Sequence, residues 1–220
     1  MNLGGTGTVQ PSVNGGYSVR TPIALAVLVV AFSTGCNTTP KEPVERARKA
    51  VELYKEGVAE FNEGKIDAGI ASLKKANEIQ PGYTLLRYDL GRMLLVRAER
   101  TDADSMRGAE AAKQLRQSGK HDEARQKEDE AENLRRQALV DLREAQQHFL
   151  WAAESWPHNA NVPYFLSIVY TGLGDFATAR SYLQRAIDLG QPTGAQREKL
   201  DRALEILEQA EIHQKRLSEK

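Results

Sequence analysis

The residues that could carry out chemistry are few and scattered along this chain. The chain contains no HExxH segment and no CxxC pair with the spacing of metal ligands. Its four histidines are scattered, at His121, His148, His158 and His213. The glycine-rich stretch at residues 4–7 lacks the Lys-Ser/Thr pair of a phosphate-binding loop, and no Gly-x-Ser-x-Gly elbow is present. We therefore expect a protein that is not an enzyme and that uses no metal or other cofactor.

Cys36 is the only cysteine, and it follows an apolar run at residues 23–32. A single cysteine excludes an intramolecular disulfide, so it needs another explanation. The run is about half as long as a membrane-spanning helix requires, and it is typical of the central part of a secretory signal. The sequence therefore predicts an export signal over residues 1–35.

The stretch from Phe32 to Cys36 resembles the lipobox of bacterial lipoproteins. In that family small residues such as Thr34 and Gly35 precede a lipid-modified cysteine, although Ser33 replaces the usual aliphatic residue. The resemblance implies that Cys36 carries acyl chains, palmitate among them, which would bind the chain permanently to a bilayer. Since Asn37 is not the aspartate linked to inner-membrane retention, the resemblance favours the periplasmic face of the outer membrane. The alternative is an ordinary cleavage site that leaves Cys36 as a free thiol.

Charge and composition exclude one broad class of partner. Lys and Arg together number 30, as do Asp and Glu, and aromatic residues make up only 6% of the chain. A balanced charge provides no attraction to phosphate backbones, and few rings are available to stack on bases. We expect no nucleic-acid partner.

A repeat of 34 residues organises the rest of the chain. Gly57 and Gly91 lie 34 residues apart, as do Ala145 and Ala179. Other equivalent positions, such as Leu73 and Phe149, are 76 residues apart, which is 34 plus an interruption of 42. A period of this length is typical of stacked helical hairpins.

The repeats resemble the tetratricopeptide repeat (TPR) family, whose motif places small residues where paired helices approach and large ones between hairpins. The matching positions are Gly57, Leu73, Ala76 and Pro81 in repeat 1, Leu90, Gly91, Ala145, Phe149, Ala152 and Pro157 in repeat 2, and Leu166, Ser167, Tyr170, Ala179, Leu183 and Ala186 in repeat 3. The resemblance implies an all-α solenoid of about three repeats, at residues 47–83, 84–159 and 160–193. It also implies a role in binding other proteins.

The interruption falls inside repeat 2, at residues 99–141. It is rich in good helix formers and has one turn signal, Ser118-Gly119, near its middle. We expect repeat 2 to extend outwards as a long antiparallel helical hairpin that turns there. The hairpin is either a solvated spacer or a binding or dimerising arm, in which case Met106, Leu115 and Leu134 would be its exposed anchors.

Two further segments flank the repeats. Residues 37–43 carry two prolines and no apolar side chain, which predicts an extended stretch, and from Val44 the pattern becomes helical. We expect residues 36–46 to form a lipidated tether. Residues 194–220 carry Leu200, Ala203, Leu204 and Leu207 at helical spacing, which predicts a helix that caps the exposed edge of the last repeat.

The concave face of such a solenoid is the expected partner-binding site. Tyr54, Tyr88 and Tyr164 occupy equivalent places in the three repeats, Arg92 lies one turn after Tyr88, and Asn161 begins the third repeat. Tyrosine offers apolar area and a hydroxyl to a bound peptide. The alternative is that these tyrosines pack between the repeats.

These features predict a membrane-anchored, non-enzymatic scaffold or adaptor that assists assembly or recruitment of a bacterial cell-envelope complex. Its partners would be the lipid bilayer, through Cys36, and an envelope protein or peptide. The alternatives are a homo-oligomer formed through the hairpin and a regulatory cofactor of a cell-wall enzyme.

Overall fold

The computed structural model describes residues 41–190 and 195–218, which form an all-α structure without strands. The segments predicted as the export signal, Cys36 and the first residues of the tether lie outside the described residues. The helices are α1 (Lys41–Asn62), α2 (Ile66–Ile79), α3 (Thr84–Gln117), α4 (His121–Ser155), α5 (Asn161–Leu173), α6 (Phe176–Gly190) and α7 (Ala195–Ser218). The prediction of an all-α fold is confirmed for this part of the chain.

The start of α1 corrects the predicted tether. Residues 41–43, expected to be extended, are the first residues of α1, whereas the helix expected from Val44 is present. Pro43 is compatible with this position because the first helical residues have no intrahelical partner for their N–H groups. Arg48 then pairs with Glu45 and Glu52, one turn to either side, which supports an exposed helix.

Glycines in the left-handed region separate the helices of three pairs. Gly64, Gly119 and Gly174 have φ angles of 82°, 78° and 81°, which residues with a Cβ rarely adopt. Gly119 lies between the end of α3 at Gln117 and the start of α4 at His121, where the sequence predicts a turn. The two longest helices, of 34 and 35 residues, therefore run to and from one short connection.

Successive helices pack in pairs, α1 on α2, α3 on α4 and α5 on α6, and α7 packs on α6. One apolar core runs from α2 to α5, with the fully buried Phe149 at its centre. The Phe149 ring stacks on Phe165 with the ring centres 5.3 Å apart. A Cβ on Gly91 would lie 3.1 Å from the Phe149 ring, so the missing side chain is what allows α3 to lie this close to α4.

The outer parts of α3 and α4 pack through small residues. Ala112, Ala124 and Ala131 are buried between them, and the Ser105 hydroxyl donates to the Ala131 carbonyl at 2.7 Å. Ion pairs also cross between the helices at 2.6 Å, from Arg116 to Glu128 and from Arg135 to Asp102. Small side chains bring the helices close but bury little apolar area, so these polar contacts help to fix the register of this thin seam.

Arg97 joins three helices near the middle of α3. Its Nε and Nη2 donate to the two carboxylate oxygens of Asp141 in α4, at 2.7 and 2.8 Å, and its Nη1 donates to Asp67 in α2 at 2.9 Å. The side chain of Asp141 is only 1% exposed. A carboxylate this buried is tolerated only when it is paired, so the two-pronged bond holds α3 and α4 in one arrangement.

The contact between Gly57 and α2 gives a test of the helix pairing. A Cβ at position 57 would lie 2.2 Å from Leu73 Cδ1 and 2.8 Å from the Gly69 carbonyl oxygen, whereas a Cβ on Gly82 meets nothing within 4 Å. We expect Gly57→Ala to lower the free energy of unfolding by about 1–3 kcal/mol, because α1 must move away from α2. Urea denaturation measures this loss.

Gly82→Ala is the matched control and should change the free energy of unfolding by less than about 0.5 kcal/mol. Equal effects of the two substitutions would contradict the close approach of α1 and α2.

Candidate functional site

Two of the predicted site residues, Tyr54 of α1 and Arg92 of α3, share one partner, Asp89 of α3. The Tyr54 hydroxyl donates to Asp89 at 2.6 Å, and Asp89 also accepts from Arg92 at 3.1 Å. Burial and the neighbouring Asp89 carboxylate raise the pKa of Tyr54 far above its usual value. The Tyr54 phenol therefore stays protonated and keeps donating to Asp89, and this hydrogen bond links α1 to α3.

Tyr88 is enclosed by other rings. Its ring lies edge-on to Phe149, Trp156 and Phe165, with ring centres 5.7 to 6.0 Å apart. The Arg92 guanidinium lies 5.9 Å from the centres of both Tyr88 and Phe165. These contacts are of the kind expected if the tyrosine packs between hairpins.

The other predicted site residues are not part of this cluster. Asn161 is exposed at the start of α5, and its backbone N–H donates to the Asn159 side chain at 3.0 Å. Tyr164 is half-buried against the cluster formed by α6 and α7. Cys36, the predicted lipidation site, lies outside the described residues.

Tyr164 also lines an apolar groove of about 460 Å³ in the described part of the chain. We call it the hairpin groove, because the middle parts of α3 and α4 form one side of it, α5 its base and α7 the other side. Its most telling lining residues are Glu99, Leu139, Leu142, Ser167, Arg202 and Ile206. The volume lies within the range of about 300–1,000 Å³ usual for binding pockets.

The hairpin groove is apolar from its base to its mouth. Leu95, Leu142 and Leu207 line it and are buried, whereas Ile206 lines it and is 61% exposed. A Cβ on Gly172 would lie 2.8 Å from Leu142 Cδ1, so this glycine lets the end of α5 lie against α4 at the base. An exposed isoleucine beside a leucine-lined concavity is a surface that gains free energy when it is covered.

Two hydroxyl groups that line the hairpin groove are bonded within their own helix. The Ser167 hydroxyl donates to the Tyr164 carbonyl at 2.7 Å, and the Thr171 hydroxyl donates to the Ser167 carbonyl at 2.7 Å. Both bonds lie within α5. These two hydroxyl donors are therefore engaged by their own helix.

Charged residues stand around the groove. Asp102 and Arg135 neutralise each other at 2.6 Å on the hairpin side. Glu99 is an exposed residue of the same side, and partial desolvation raises the pKa of its carboxyl group. Within residues 41–190 and 195–218, neither Glu99 nor Arg202, which stands on the α7 side, belongs to an ion pair.

Reasoning from the sequence missed the hairpin groove. The apolar stripe of α7 was identified as Leu200, Ala203, Leu204 and Leu207, and Ile206 lies beside that stripe. The signal in the sequence that points to the groove is Ile206, because an isoleucine outside the core-facing stripe of an amphipathic helix is expected to be exposed. The partner across the groove could not be inferred, because it depends on where α7 lies relative to the hairpin.

His148 is the most perturbed histidine in the described structure. Its side chain is 12% exposed and its Nε2 lies 3.9 Å from the Glu144 carboxylate, while its Nδ1 is buried without a hydrogen-bond partner. Burial lowers the pKa of His148 to about 4, against the opposing attraction of Glu144. The described residues contain no group of three His, Cys, Asp or Glu side chains placed to hold a metal ion.

Comparison with known proteins adds little. No family model and no curated protein matches the chain. Among solved structures, one described as "MamA RS-1 ArsTM double mutant" is similar at 14% identity over 76% of this chain and 96% of that one, with a TM-score of 0.26. That score is too low to support a conclusion about fold or function. None of the helices in the described ranges is both long and apolar enough to cross a membrane.

His148 predicts a pH dependence of stability. Its pKa is about 4 in the folded chain and about 6.5 when unfolded, so the unfolded chain binds more protons between these values. Stability is therefore complete above about pH 6.5 and falls as the pH falls towards 4. We expect His148 to account for about 2 kcal/mol of the loss between pH 7.5 and pH 5, measured by urea denaturation.

His148→Gln removes the titration but keeps a polar side chain. Its free energy of unfolding should fall less over the same pH interval, by about that amount. The exposed His158 supplies the control, because His158→Gln should follow the wild-type curve. A His148→Gln curve parallel to the wild type would contradict a buried, neutral imidazole.

Proposed function

We propose that this chain is a non-enzymatic adaptor that binds a protein partner in the hairpin groove while a lipid holds it to the bacterial envelope. The observation that carries the proposal is the groove itself, an apolar concavity whose mouth includes the exposed Ile206. An apolar concavity with a few polar groups around it is the usual form of a recognition site.

We further propose that the scaffold is a TPR solenoid with repeats at residues 47–83, 84–159 and 160–193 and an inserted hairpin. The helix pairs support this scheme, as do two equivalent contacts. Gly57 faces Leu73 in the first pair, and Gly91 faces Phe149 in the second. Ser167 and Leu183, the third pair of the same motif, are both buried.

The proposed anchor is an acylated Cys36, and the proposed location is the periplasmic face of the outer membrane. The support is the sequence around Cys36 and the absence of aspartate at position 37. The chain from Cys36 to the first helix at Lys41 is short, so the anchor would keep the solenoid close to the bilayer.

A second candidate function is self-association through the hairpin. Met106 is 65% exposed and Val140 is 53% exposed, and Leu134 is also on the surface. Leu115, the third anchor expected from the sequence, is half-buried. Exposed apolar side chains along a thin hairpin are suited to a second copy or to another long helix.

Site-specific photo-crosslinking in intact cells tests the adaptor proposal. We expect a photoreactive phenylalanine at Leu139 or Ile206, both in the hairpin groove, to give one discrete adduct with another envelope protein. The same group at Trp151, which is exposed on α4 and does not line the groove, should give none.

The masses of the adducts separate the candidates. If the photoreactive group is placed at Met106 instead, an adduct of twice the chain's own mass would favour self-association. Adducts of equal strength from Trp151 and from the groove positions would contradict a role for the groove.

The anchor is tested separately. Cys36→Ala should move the chain from the membrane fraction to the soluble fraction and abolish incorporation of labelled palmitate, because the acylated side chain is lost. Thr38→Ala keeps the cysteine and should remain in the membrane fraction. Membrane retention of Cys36→Ala would overturn the proposed anchor.

A further inference from the structure

Glu99 and Arg202 make the two sides of the hairpin groove electrically different. Glu99 belongs to the hairpin side and Arg202 to the α7 side. The nearby Asp102 and Arg135 are satisfied by each other. A partner would therefore meet an apolar floor with an acidic residue, Glu99, on one side and a basic residue, Arg202, on the other.

The base of the groove also decides the backbone conformation of the partner. An extended peptide buried there would need hydrogen bonds for its N–H and C=O groups, and unpaired groups are costly. The Ser167 and Thr171 hydroxyl protons are already donated within α5. An α-helix satisfies its own backbone, so it can present only side chains to an apolar surface.

We propose that the hairpin groove binds an amphipathic helix of a partner protein whose apolar ridge is flanked by a basic side chain on one side and an acidic one on the other. The basic residue pairs with Glu99 and the acidic residue with Arg202. The inference rests on the proposed function, since it names the class of partner for the same groove. It assigns part of the recognition to the hairpin, because Glu99 and Leu139 come from that element.

Three labelled synthetic helices test this complementarity. All carry the same leucine ridge at positions i, i+3, i+4 and i+7. In the mixed peptide one flank is lysine and the other glutamate, in the acidic peptide both flanks are glutamate, and in the basic peptide both are lysine. Fluorescence anisotropy with the chain should show that the wild type prefers the mixed peptide by about threefold to tenfold.

Single charge reversals should redirect this preference. Glu99→Lys makes both sides of the groove basic, so the acidic peptide should become the best ligand. Arg202→Glu makes both sides acidic, so the basic peptide should become the best ligand. These outcomes do not depend on the direction in which the helix lies, because each variant has like charges on both sides.

The controls are reversals at exposed positions that do not line the groove, Glu56→Lys on α1 and Arg125→Glu on α4. Both should keep the wild-type preference for the mixed peptide. Ile206→Asp should weaken all three peptides, and because Ile206 is exposed, circular dichroism should show an unchanged fold.

Equal binding of the three peptides, an unchanged order in the reversal variants or no measurable binding would overturn the inference. If envelope adducts from Leu139 and Ile206 persist in that case, the adaptor role stands and the occupant has a different chemistry. If the peptide order follows the prediction but no adduct forms in cells, the proposed function fails instead.

Discussion

The buried charge of Asp141 constrains the whole arrangement of α2, α3 and α4. A carboxylate that is 1% exposed requires a partner of fixed geometry, and the Arg97 guanidinium meets both of its oxygens. Arg97 lies on the same helix as Gly91 and Glu99. Pairing it with Asp141 therefore sets how α3 lies on α4, both at the Phe149 contact on one side and at the hairpin groove on the other. The bond from Arg97 to Asp67 also links α2 to α3, but it contributes little stability because Asp67 is exposed to solvent.

Local signals predicted most of the helices. The turn expected at Ser118-Gly119 is present, and Gly119 has a φ of 78°, which residues with a Cβ rarely adopt. The stripe that buries Leu200 and Leu207 likewise identified α7. The tether was misjudged because a proline reads as a breaker in sequence, whereas the first turn of a helix accepts it.

The site depended on contacts that sequence does not encode locally. Tyr54 and Asp89 are 35 residues apart, and only the folded structure shows that the Tyr54 hydroxyl of α1 donates to the Asp89 carboxylate of α3. The hairpin groove brings together Glu99 of α3 and Arg202 of α7, which are about 100 residues apart in the sequence. Their juxtaposition depends on the packing of α7 on α6, and neither residue stands out in its own helix.

The continuity of α3 and α4 has a mechanical consequence. Each runs without a break for about 50 Å at 1.5 Å per residue, of which about 40 Å separates the connection at Gly119 from the core around Phe149. The Arg97–Asp141 bond joins the two helices between these points. We therefore expect a displacement of the distal turn to be transmitted along both helices to the side of the groove that carries Glu99, some 30 Å away.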